Sequence, residues 1–335
     1  MPVRSAPPTG RSARIMGLGA GIPARLLTNR DLEAFVDTTD QWIVEHTGIH
    51  ERRICADGQS NADLCVEAAA QALEEAHVRP EDLELVIVAT LTNDFRCFPA
   101  VASVVQDRLG ARNAGAFDLS AGCTGWVYAL AVGSAFVSSG MYDRVLVIGC
   151  DVLSKITDWT DRATCVLFGD GAGAAVVGPA EPGKGVLGYV LESDGALAPL
   201  LHIPVGGTAE PMTPENLARG DHYIKMEGHE VFRVAVRKAP EMAEKTVKSI
   251  GLTVEDIDWL VLHQANQRIN QAAVKRLGLA PEKVVSNVER YGNTSSGSVP
   301  LLLAECHGKF QDGDLVVIVG FGAGFTYGGL ALRWG

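Results

Sequence analysis

Short, continuous runs of apolar residues recur along the chain, and turn-forming residues bound each of them. They are rich in Val and Ile, do not alternate with polar positions, and cover residues 85–91, 145–149, 172–177, 259–262 and 315–319. Such runs are typical of strands that are buried on both faces. Longer stretches with helical character lie between them, at residues 62–77, 125–138, 231–250 and 265–277. The alternation predicts an α/β fold in which helices cover mixed sheets.

Two segments about half a chain apart have similar patterns. Residues 81–88 read EDLELVIV and residues 255–262 read EDIDWLVL, an offset of 174 positions (255 minus 81). Residues 144–149 and 314–319 form a second matching pair of predicted strands at a similar offset. We interpret the chain as two copies of one α/β unit, neither of which is stable alone. The alternative is coincidence, because acidic residues before an apolar strand are common.

The remaining segments set the predicted domain boundaries. Residues 181–225 hold several prolines and little periodicity, which predicts an inserted loop or cap beside a functional site. Residues 1–13 lack the apolar segment of a secretory signal and are interpreted as a mobile tail. Residues 14–180 and 226–335 are then the N-terminal and C-terminal halves of the duplicated fold.

Composition and charge argue against several classes of protein. The chain holds 29 Lys and Arg against 40 Asp and Glu, and its net charge of −11 argues against nucleic-acid binding. No run approaches the roughly 20 apolar residues that span a membrane, so no membrane association is expected. The seven cysteines form no CxxC pair, which favours a reduced, cytoplasmic compartment. The histidines lack metal-ligand spacing, so no metal site is predicted.

Cys123 occupies a junction between a predicted strand and a predicted helix. Residues 114–119 are strand-like, residues 120–122 form a tight turn, and the apolar helix begins at Gly125. The unpaired amides and the dipole of a helix N-terminus favour an anion, so we expect a stabilised thiolate at this position. The alternative for a lone cysteine is a buried structural role.

Further polar positions follow strands in the second copy. His263 stands directly after the strand at 259–262, the usual place for ligand chemistry in α/β sheets. Residues 291–298 (YGNTSSGS) form a polar loop before an apolar helix at 299–306, and Asn293 alone would suit a helix cap or a turn. The glycine-rich turn at 320–325 (GFGAGF) can aim backbone N–H groups at a developing oxyanion.

Together these motifs resemble the β-ketoacyl-acyl-carrier-protein synthase III family of the thiolase superfamily. They are DLSAGCTGWVYAL around Cys123, HQANQRIN from His263, YGNTSSGSVP around Asn293, and the terminal GFGAGFTYGG. Similar motifs at residues 39–53, 160–174 and 226–233 extend the resemblance over nearly the whole chain after the tail. The resemblance implies a thiolase-like fold with two duplicated α/β halves in a five-layer α-β-α-β-α arrangement. It also implies a homodimer.

The resemblance further implies a two-step condensation. Cys123 would attack an acyl-CoA thioester, and the backbone N–H groups of Cys123 and Ala323 would form the oxyanion hole. His263 and Asn293 would then donate hydrogen bonds to the thioester oxygen of malonyl-acyl carrier protein (malonyl-ACP) as it loses carbon dioxide. Coenzyme A enters as part of the substrate, and neither a metal nor a redox cofactor is implied.

Residues that bind coenzyme A and the acyl group follow from the same resemblance. Trp42 and Arg162 resemble the pair that sandwiches the adenine. A basic residue is common four positions after that tryptophan, and here it is His46, which implies a weaker grip on the CoA phosphates because histidine is mostly neutral near pH 7. Phe98 and Phe321 are expected at the acyl pocket, with Phe98 reaching across the dimer.

A basic face is expected to bind the carrier protein. Arg268, Lys275 and Arg276 share one face of the helix predicted at 265–277, and Arg233 adds a fourth positive charge. In an acidic chain such a face suits an acidic partner, chiefly through electrostatic steering. The alternative is an ordinary solvated helix face.

Two other functions remain open. A specialised condensing enzyme or acyltransferase of secondary metabolism would use the same acyl-Cys123 with another acceptor, but the presence of both His263 and Asn293 favours decarboxylative condensation. A non-catalytic partner subunit of the same fold is the second alternative, and the intact set of three residues argues against it. The identity of the primer and its pathway are not specified by these motifs.

Overall fold

The structure is a computed structural model that describes residues 10–335. Its strands are β1 (Ala13–Gly21), β2 (Arg25–Thr28), β3 (Glu51–Ile54), β4 (Leu85–Ala89), β5 (Gly115–Leu119), β6 (Val145–Val152), β7 (Asp170–Pro179), β8 (Gly185–Ser193), β9 (Leu201–His202), β10 (Lys225–Met226), β11 (Trp259–Leu262), β12 (Val284–Val285), β13 (Leu315–Gly322) and β14 (Thr326–Arg333). Its α-helices are α1 (Asn29–Leu32), α2 (Asp40–Thr47), α3 (Asn61–Ala76), α4 (Val101–Leu109), α5 (Gly125–Ser138), α6 (Arg162–Cys165), α7 (Pro214–Ala218), α8 (Gly228–Ser249), α9 (Gln267–Leu277), α10 (Val288–Tyr291) and α11 (Ser298–Cys306). Every strand and helix predicted from the apolar pattern is present, with ends that differ by a few residues.

Two five-stranded mixed sheets repeat one strand order. The first sheet runs β5-β4-β6-β7-β1, and the second runs β12-β11-β13-β14-β8. In each sheet the first three strands are parallel, and the last two are each antiparallel to the strand before. Leu85 begins β4 and Trp259 begins β11, which reproduces the offset of 174 found in the sequence. The predicted duplication is therefore confirmed by the topology.

The sheets and helices form five layers. Helices α5 and α11 lie between the two sheets, in one core cluster with inward side chains such as Ile87 and Ile318. Helices α3 and α4 cover the outer face of the first sheet, where Val86 is buried, and α8 and α9 cover the outer face of the second, where Leu260 is buried. Because neighbouring residues of a strand point to opposite faces, a strand covered on both sides needs apolar residues at every position.

The two central helices are apolar for the same reason. Sheets cover both sides of α5, and most of its residues are buried, including the fully covered Trp126 and Leu130. Such a helix has no polar face, because only Ala135 of its residues is exposed. Within residues 10–335, none of the helices combines the length and the apolar character that crossing a membrane requires.

The predicted domain boundaries need two corrections. Strand β8 pairs with β14 along its length, so it is the edge strand of the second sheet and not part of an insertion over 181–225. The C-terminal half therefore begins before residue 226. The apolar residues at 186–191 were not recognised as a strand because they lie in a segment rich in glycine and proline. The tail predicted over 1–13 also ends earlier, because Ala13 is fully buried in β1. Residues 1–9 lie outside the described part of the chain.

Candidate active site

Cys123 lies two residues before α5, on the loop that leaves β5. Its side chain is largely buried, and its Sγ atom accepts a hydrogen bond from the Oγ of Ser295 at 3.4 Å. The backbone N–H groups of Ala323 and of Cys123 itself also face the sulfur. Three donors from both halves of the duplicated fold therefore surround the sulfur, as a nucleophile that passes through an anionic state requires.

Burial raises the pKa of the Cys123 thiol to about 11, and the negative charge of Asp151 adds to this rise. The hydrogen bonds from Ser295 and from the two backbone N–H groups act in the opposite direction but do not offset the loss of water. Burial therefore opposes the stabilised thiolate that the helix N-terminus led us to expect, and a thiol pKa of about 11 corresponds to a protonated sulfur near pH 7.

Two glycines allow the oxyanion loop to approach the nucleophile. Gly122 has a φ of +58°, and a Cβ atom built on it would lie 2.4 Å from the carbonyl oxygen of Ala323. A Cβ atom on Gly322 would lie 2.5 Å from the backbone nitrogen of Cys123. Backbone packed this closely excludes any side chain. The close approach brings the N–H of Ala323 to the sulfur, as the sequence predicted for the glycine-rich turn.

His263 follows the last residue of β11 and is fully buried. Its Nδ1 atom lies 2.6 Å from the Oγ of Ser298, and the edge of its ring packs on Phe321 with 5.2 Å between ring centroids. Burial lowers the pKa of His263 to about 3, so the imidazole is neutral near pH 7. When the Ser298 hydroxyl donates to Nδ1, the imidazole carries its proton on Nε2 and becomes a hydrogen-bond donor.

Asn293 lies in the loop before α11 and forms a turn instead of capping that helix. Its Oδ1 atom accepts a hydrogen bond from the backbone N–H of Ser295 at 2.9 Å, whereas the helix begins after Gly297. The backbone of Asn293 is fixed by bonds of 2.8 Å to the carbonyl of Leu167 and 3.0 Å from the N–H of Gly169. Because Oδ1 accepts the bond from Ser295, the NH2 group of the Asn293 side chain remains available as a hydrogen-bond donor.

Two cavities meet at Cys123. One of about 190 Å³ is lined by Cys123, His263, Asn293 and Phe321. The other, of about 260 Å³, is mainly apolar and is lined by Leu91, Leu153, Ile156, Phe168, Leu201, Ile203 and Ile224, with His202 and Ala323. The sulfur therefore stands between an apolar space and a space with two neutral hydrogen-bond donors. This arrangement suits a thioester on the sulfur whose acyl chain is shielded while an enolate forms on the other side.

Comparison with known proteins places the chain in a family. Models of 3-oxoacyl-[acyl-carrier-protein] synthase III and of its C-terminal region match residues 117–195 and 247–334. A β-ketoacyl-[acyl-carrier-protein] synthase III of Symbiobacterium thermophilum is 53% identical to this chain and covers 97% of it and 99% of the relative. The chain belongs to the β-ketoacyl-acyl-carrier-protein synthase III family. It is a condensing acyltransferase with a thiolase-like fold, as its motifs implied.

Other members agree with this assignment. The β-ketoacyl-[acyl-carrier-protein] synthase III of Desulfitobacterium hafniense is 51% identical, over 96% of this chain and 98% of the relative. The crystal structure of the Thermus thermophilus synthase III superimposes with a TM-score of 0.89 and 46% identity, over 96% of this chain and 99% of that one. These relatives do not favour the alternative of a specialised enzyme with another acceptor.

The residues predicted to hold adenine are in contact with one another. The guanidinium of Arg162 lies 4.8 Å from the centroid of the Trp42 indole, and the ring of His46 stacks on the same indole at 4.3 Å. A base inserted between two flat groups needs them about 7 Å apart, twice an ordinary stacking distance. Arg162 must therefore withdraw before a base can enter between it and Trp42. It is exposed, and its guanidinium also donates a hydrogen bond to the carbonyl of Asp37 at 2.9 Å.

The basic residues predicted for the carrier protein lie on α8 and α9, which pack together. The guanidinium of Arg268 lies 5.4 Å from the ring centroid of Phe232, and Phe232 lines the cavity of His263. Arg233 is exposed and paired with Glu230. Lys275 and Arg276 are exposed further along α9. The pattern missed Arg237, which is exposed on α8 and whose carbonyl accepts a bond of 3.3 Å from Arg276.

The two phenylalanines predicted for the acyl pocket lie elsewhere in the single chain. Phe321 packs on His263 in the donor cavity and does not line the apolar one. Phe98 is 84% exposed and lines neither cavity. Its predicted place in a partner's pocket needs a second subunit and stays a prediction. The region around β9 and β10, which sequence reasoning identified as a cap without naming its side chains, supplies part of the apolar cavity: Leu201, His202, Ile203 and Ile224.

Three polar residues of the site were missed because they looked like ordinary loop residues. Ser295 and Ser298 belong to the SSGS run after Asn293, and Asp151 ends an apolar strand. Serine is common in turns, so the run carried no signal of its own. A charged residue directly after the six-residue run VLVIGC at 145–150 was the available signal for Asp151, because an unpaired carboxylate is rarely buried.

Proposed function

We propose that this chain condenses a short acyl-CoA with malonyl-ACP and so initiates fatty-acid synthesis in the cytoplasm, without a metal or redox cofactor. The observation that carries the proposal is the position of Cys123 where two cavities of different character meet. A simple acyltransferase needs only the acyl cavity and the oxyanion donors. The added pair of neutral donors, His263 and Asn293, suits an acceptor that becomes an enolate.

In the first half-reaction the acyl group moves to Cys123. The sulfur forms a bond to the thioester carbon, and the N–H groups of Cys123 and Ala323 hold the oxyanion. The bond to the CoA sulfur then breaks, and the thiol proton of Cys123 ends on the departing CoA. The acyl chain would occupy the apolar cavity.

In the second half-reaction malonyl-ACP takes the place of CoA. Its carbon–carbon bond to the carboxylate breaks, carbon dioxide leaves, and the electron pair moves to the thioester as an enolate. His263 and Asn293 donate hydrogen bonds to the enolate oxygen. A neutral imidazole can do this, so a positively charged one is not needed. The enolate carbon bonds to the acyl carbon, the bond to Cys123 breaks, and the thiolate takes a proton from solvent. The product is a β-ketoacyl-ACP.

The two thioester carriers would approach over different surfaces. The adenine end of CoA would displace Arg162 from Trp42 on the N-terminal half, beside His46. The acidic carrier protein would contact the exposed cations of α8 and α9, where Arg268 lies against a residue of the donor cavity. The predicted set, Arg233, Arg268, Lys275 and Arg276, is extended by Arg237.

A homodimer is part of the proposal. Phe98 is 84% exposed, and Phe95 and Leu91 of the same loop are 46% and 40% exposed. Apolar side chains clustered on one loop suit a surface that a second copy covers. Since Leu91 also lines the apolar cavity, a partner on this loop would close the acyl site. Light scattering should give the mass of two chains, and the mass of one chain at micromolar concentration would contradict the dimer.

The first test follows the mass of the intact protein. Wild type and Cys123→Ala are incubated with a panel of acyl-CoAs and then with malonyl-ACP. We expect one acyl group on wild type only, followed by its release as β-ketoacyl-ACP, and the panel identifies the primer. An acyl group that loads but is never discharged by malonyl-ACP would favour the acyltransferase alternative. No loading at all would overturn the role of Cys123.

A further inference from the structure

Asp151 is a buried carboxylate that touches neither cavity but joins the loops that surround the nucleophile. It lies near the end of β6 and is fully covered. Its Oδ1 atom accepts three hydrogen bonds, from the backbone N–H of Leu91 at 2.7 Å and from the hydroxyls of Thr90 and Thr92 at 3.1 Å each. Its Oδ2 atom accepts one, from the backbone N–H of Ser296 at 3.0 Å. The carboxylate thus links the N-terminal half to the loop of Asn293.

The two threonine hydroxyls that bond Oδ1 must act as donors in these hydrogen bonds. The Thr90 hydroxyl already accepts bonds from Asn61 Nδ2 at 2.8 Å and from the N–H of Thr92 at 3.1 Å. The Thr92 hydroxyl accepts bonds from the N–H of Val152 at 2.8 Å and from Asn61 Nδ2 at 3.1 Å. A hydroxyl oxygen has two lone pairs, and both are used in each threonine. The hydroxyl proton of each threonine is therefore donated to Asp151. Only a hydrogen-bond acceptor can therefore occupy the position of Oδ1.

The single bond at Oδ2 reaches the second half of the active site. Ser296 also donates its hydroxyl to the carbonyl of Gly122 at 3.2 Å, directly before the nucleophile. The preceding residue, Ser295, donates its hydroxyl to the sulfur of Cys123 and its backbone N–H to Oδ1 of Asn293. Ser295 has a φ of +49°, a left-handed conformation that a non-glycine residue keeps only when its surroundings hold it.

We propose that Asp151 is a positioning residue for the decarboxylative half-reaction, because its bond to Ser296 holds the loop that aims Asn293 at the enolate oxygen. The proposal rests on the proposed function and adds to it a residue that never touches substrate. The carboxylate holds the loop from the N-terminal half, where its other oxygen is anchored. The oxyanion N–H groups of Cys123 and Ala323 do not bond the carboxylate, but Ser295 on the Oδ2 side contacts the sulfur and lines the apolar cavity. A loss of acylation that is smaller than the loss of discharge is therefore expected.

The variant Asp151→Asn separates the two sides. The amide oxygen of the variant occupies the Oδ1 position, where three groups donate to it. Its NH2 group then faces the backbone N–H of Ser296, so two hydrogen-bond donors point at each other. The bonds to Thr90, Leu91 and Thr92 are kept, and the loop of Ser296 is displaced. We expect acylation of Cys123 by acyl-CoA to stay within about threefold of wild type. Discharge by malonyl-ACP should fall roughly ten- to a hundredfold, the usual effect of a small misplacement.

The experiment measures both half-reactions in single turnovers by rapid quench and intact-protein mass. Asp170→Asn is the matched control, because Asp170 is also fully buried and accepts from backbone N–H groups, of Cys55 and Ser154. Its backbone follows Gly169, which bonds Asn293, but its carboxylate makes no bond to the Asn293 loop. Wild type in the same assay tests the proposed function by itself. Its failure to load or discharge would remove that function before any variant is compared.

A double-mutant cycle with Asn293→Ala gives the decisive comparison. If Asp151 acts through Asn293, Asp151→Asn will slow discharge much less in the Asn293→Ala background than in wild type. An equal loss in both backgrounds would overturn the proposal. Equal loss of acylation and discharge would overturn it as well. So would a failure of Asp151→Asn to fold while Asp170→Asn folds, because Asp151 would then serve stability and not the reaction.

Discussion

The two halves of the molecule share one topology but supply different chemistry. In the N-terminal half, the loop before α5 carries the nucleophile Cys123, and the position 174 residues before His263 is Ala89, a core residue. In the C-terminal half, the loop before α11 carries Asn293, and the end of β11 carries His263. In the proposed mechanism, one half therefore supplies the group that becomes covalently bound. The other half supplies neutral donors that stabilise charge.

The difference shows how duplication suits a two-step reaction. Because the halves are related by the same strand order, the N-terminal ends of α5 and α11 meet at one place between the sheets. Each end can then diverge independently, as Cys123 and Ser296 have done two residues before their helices. The surfaces divide similarly, with Trp42 and Arg162 on the first half and the cations of α8 and α9 on the second. Residues of the first half should govern loading, the transfer of the acyl group from CoA to Cys123. Residues of the second half should govern discharge, the reaction of that acyl group with malonyl-ACP.

Removing the donors of the C-terminal half gives the largest expected effect. His263→Ala and Asn293→Ala should each slow discharge by malonyl-ACP on the order of 100–1,000-fold, the usual cost of one preorganised donor. Loading should fall far less for Asn293→Ala, which has no part in the first step. Single-turnover mass spectrometry separates the two rates. An equal loss of both rates in Asn293→Ala would break the division between the halves.

The titration of Cys123 sharpens the account of the N-terminal half. Because the pKa of its thiol is raised to about 11, the thiolate is lost as pH falls below that value. Alkylation by iodoacetamide should rise about a hundredfold from pH 7 to pH 9, tenfold per unit, and continue to rise.

Peptide mass spectrometry measures this titration, with the exposed Cys97 as an internal control for the reagent. A plateau below pH 8 would mean that the backbone donors outweigh burial and that the thiolate is present at rest. The lowered pKa of His263, about 3, predicts no loss of its donor role between pH 5 and pH 8. A fall in the discharge rate of the acyl-enzyme with an apparent pKa near 6 would contradict that assignment.

Charge reversal on the second half should affect discharge alone. Arg268→Glu is expected to raise the KM for malonyl-ACP roughly tenfold, an effect that shrinks with added salt. The KM for acyl-CoA should not change. Lys248→Glu, at the far end of α8, is the matched control with the same change of charge. Equal effects of the two variants would indicate bulk electrostatics and not a docking surface.

A change beside Trp42 should affect loading alone, and by the smallest amount. His46→Arg is expected to lower the KM for acyl-CoA about threefold, because a fixed positive charge is placed beside the CoA phosphates and can still stack on the indole. His50→Arg adds the same charge nearby without this contact. If the KM for malonyl-ACP falls as well, the separation of the two surfaces does not hold.

Local pattern was sufficient for much of the fold and of the catalytic set. The strands buried on both faces and the central helices α5 and α11 require near-continuous apolar runs, so they were visible in the sequence. Edge strand β8 was missed because its apolar residues lie in a segment rich in glycine and proline, and most of its positions are only partly buried. Cys123, His263 and Asn293 could be found because each stands where an apolar element ends and a short glycine-rich or polar loop begins.

Tertiary structure decided what the sequence could not. The pKa of Cys123 depends on how much water is removed from the sulfur by both halves, which outweighs the helix N-terminus that local pattern identified. The lining of the apolar cavity, the contact of Phe321 with His263 and the reach of Asp151 to Ser296 all join residues far apart in the chain. The sequence by itself determined which residue types stand at the ends of which elements, because local pattern depends on near neighbours. Their burial, pairing and charge state were decided by packing between the halves, because desolvation and hydrogen bonding depend on neighbours in space.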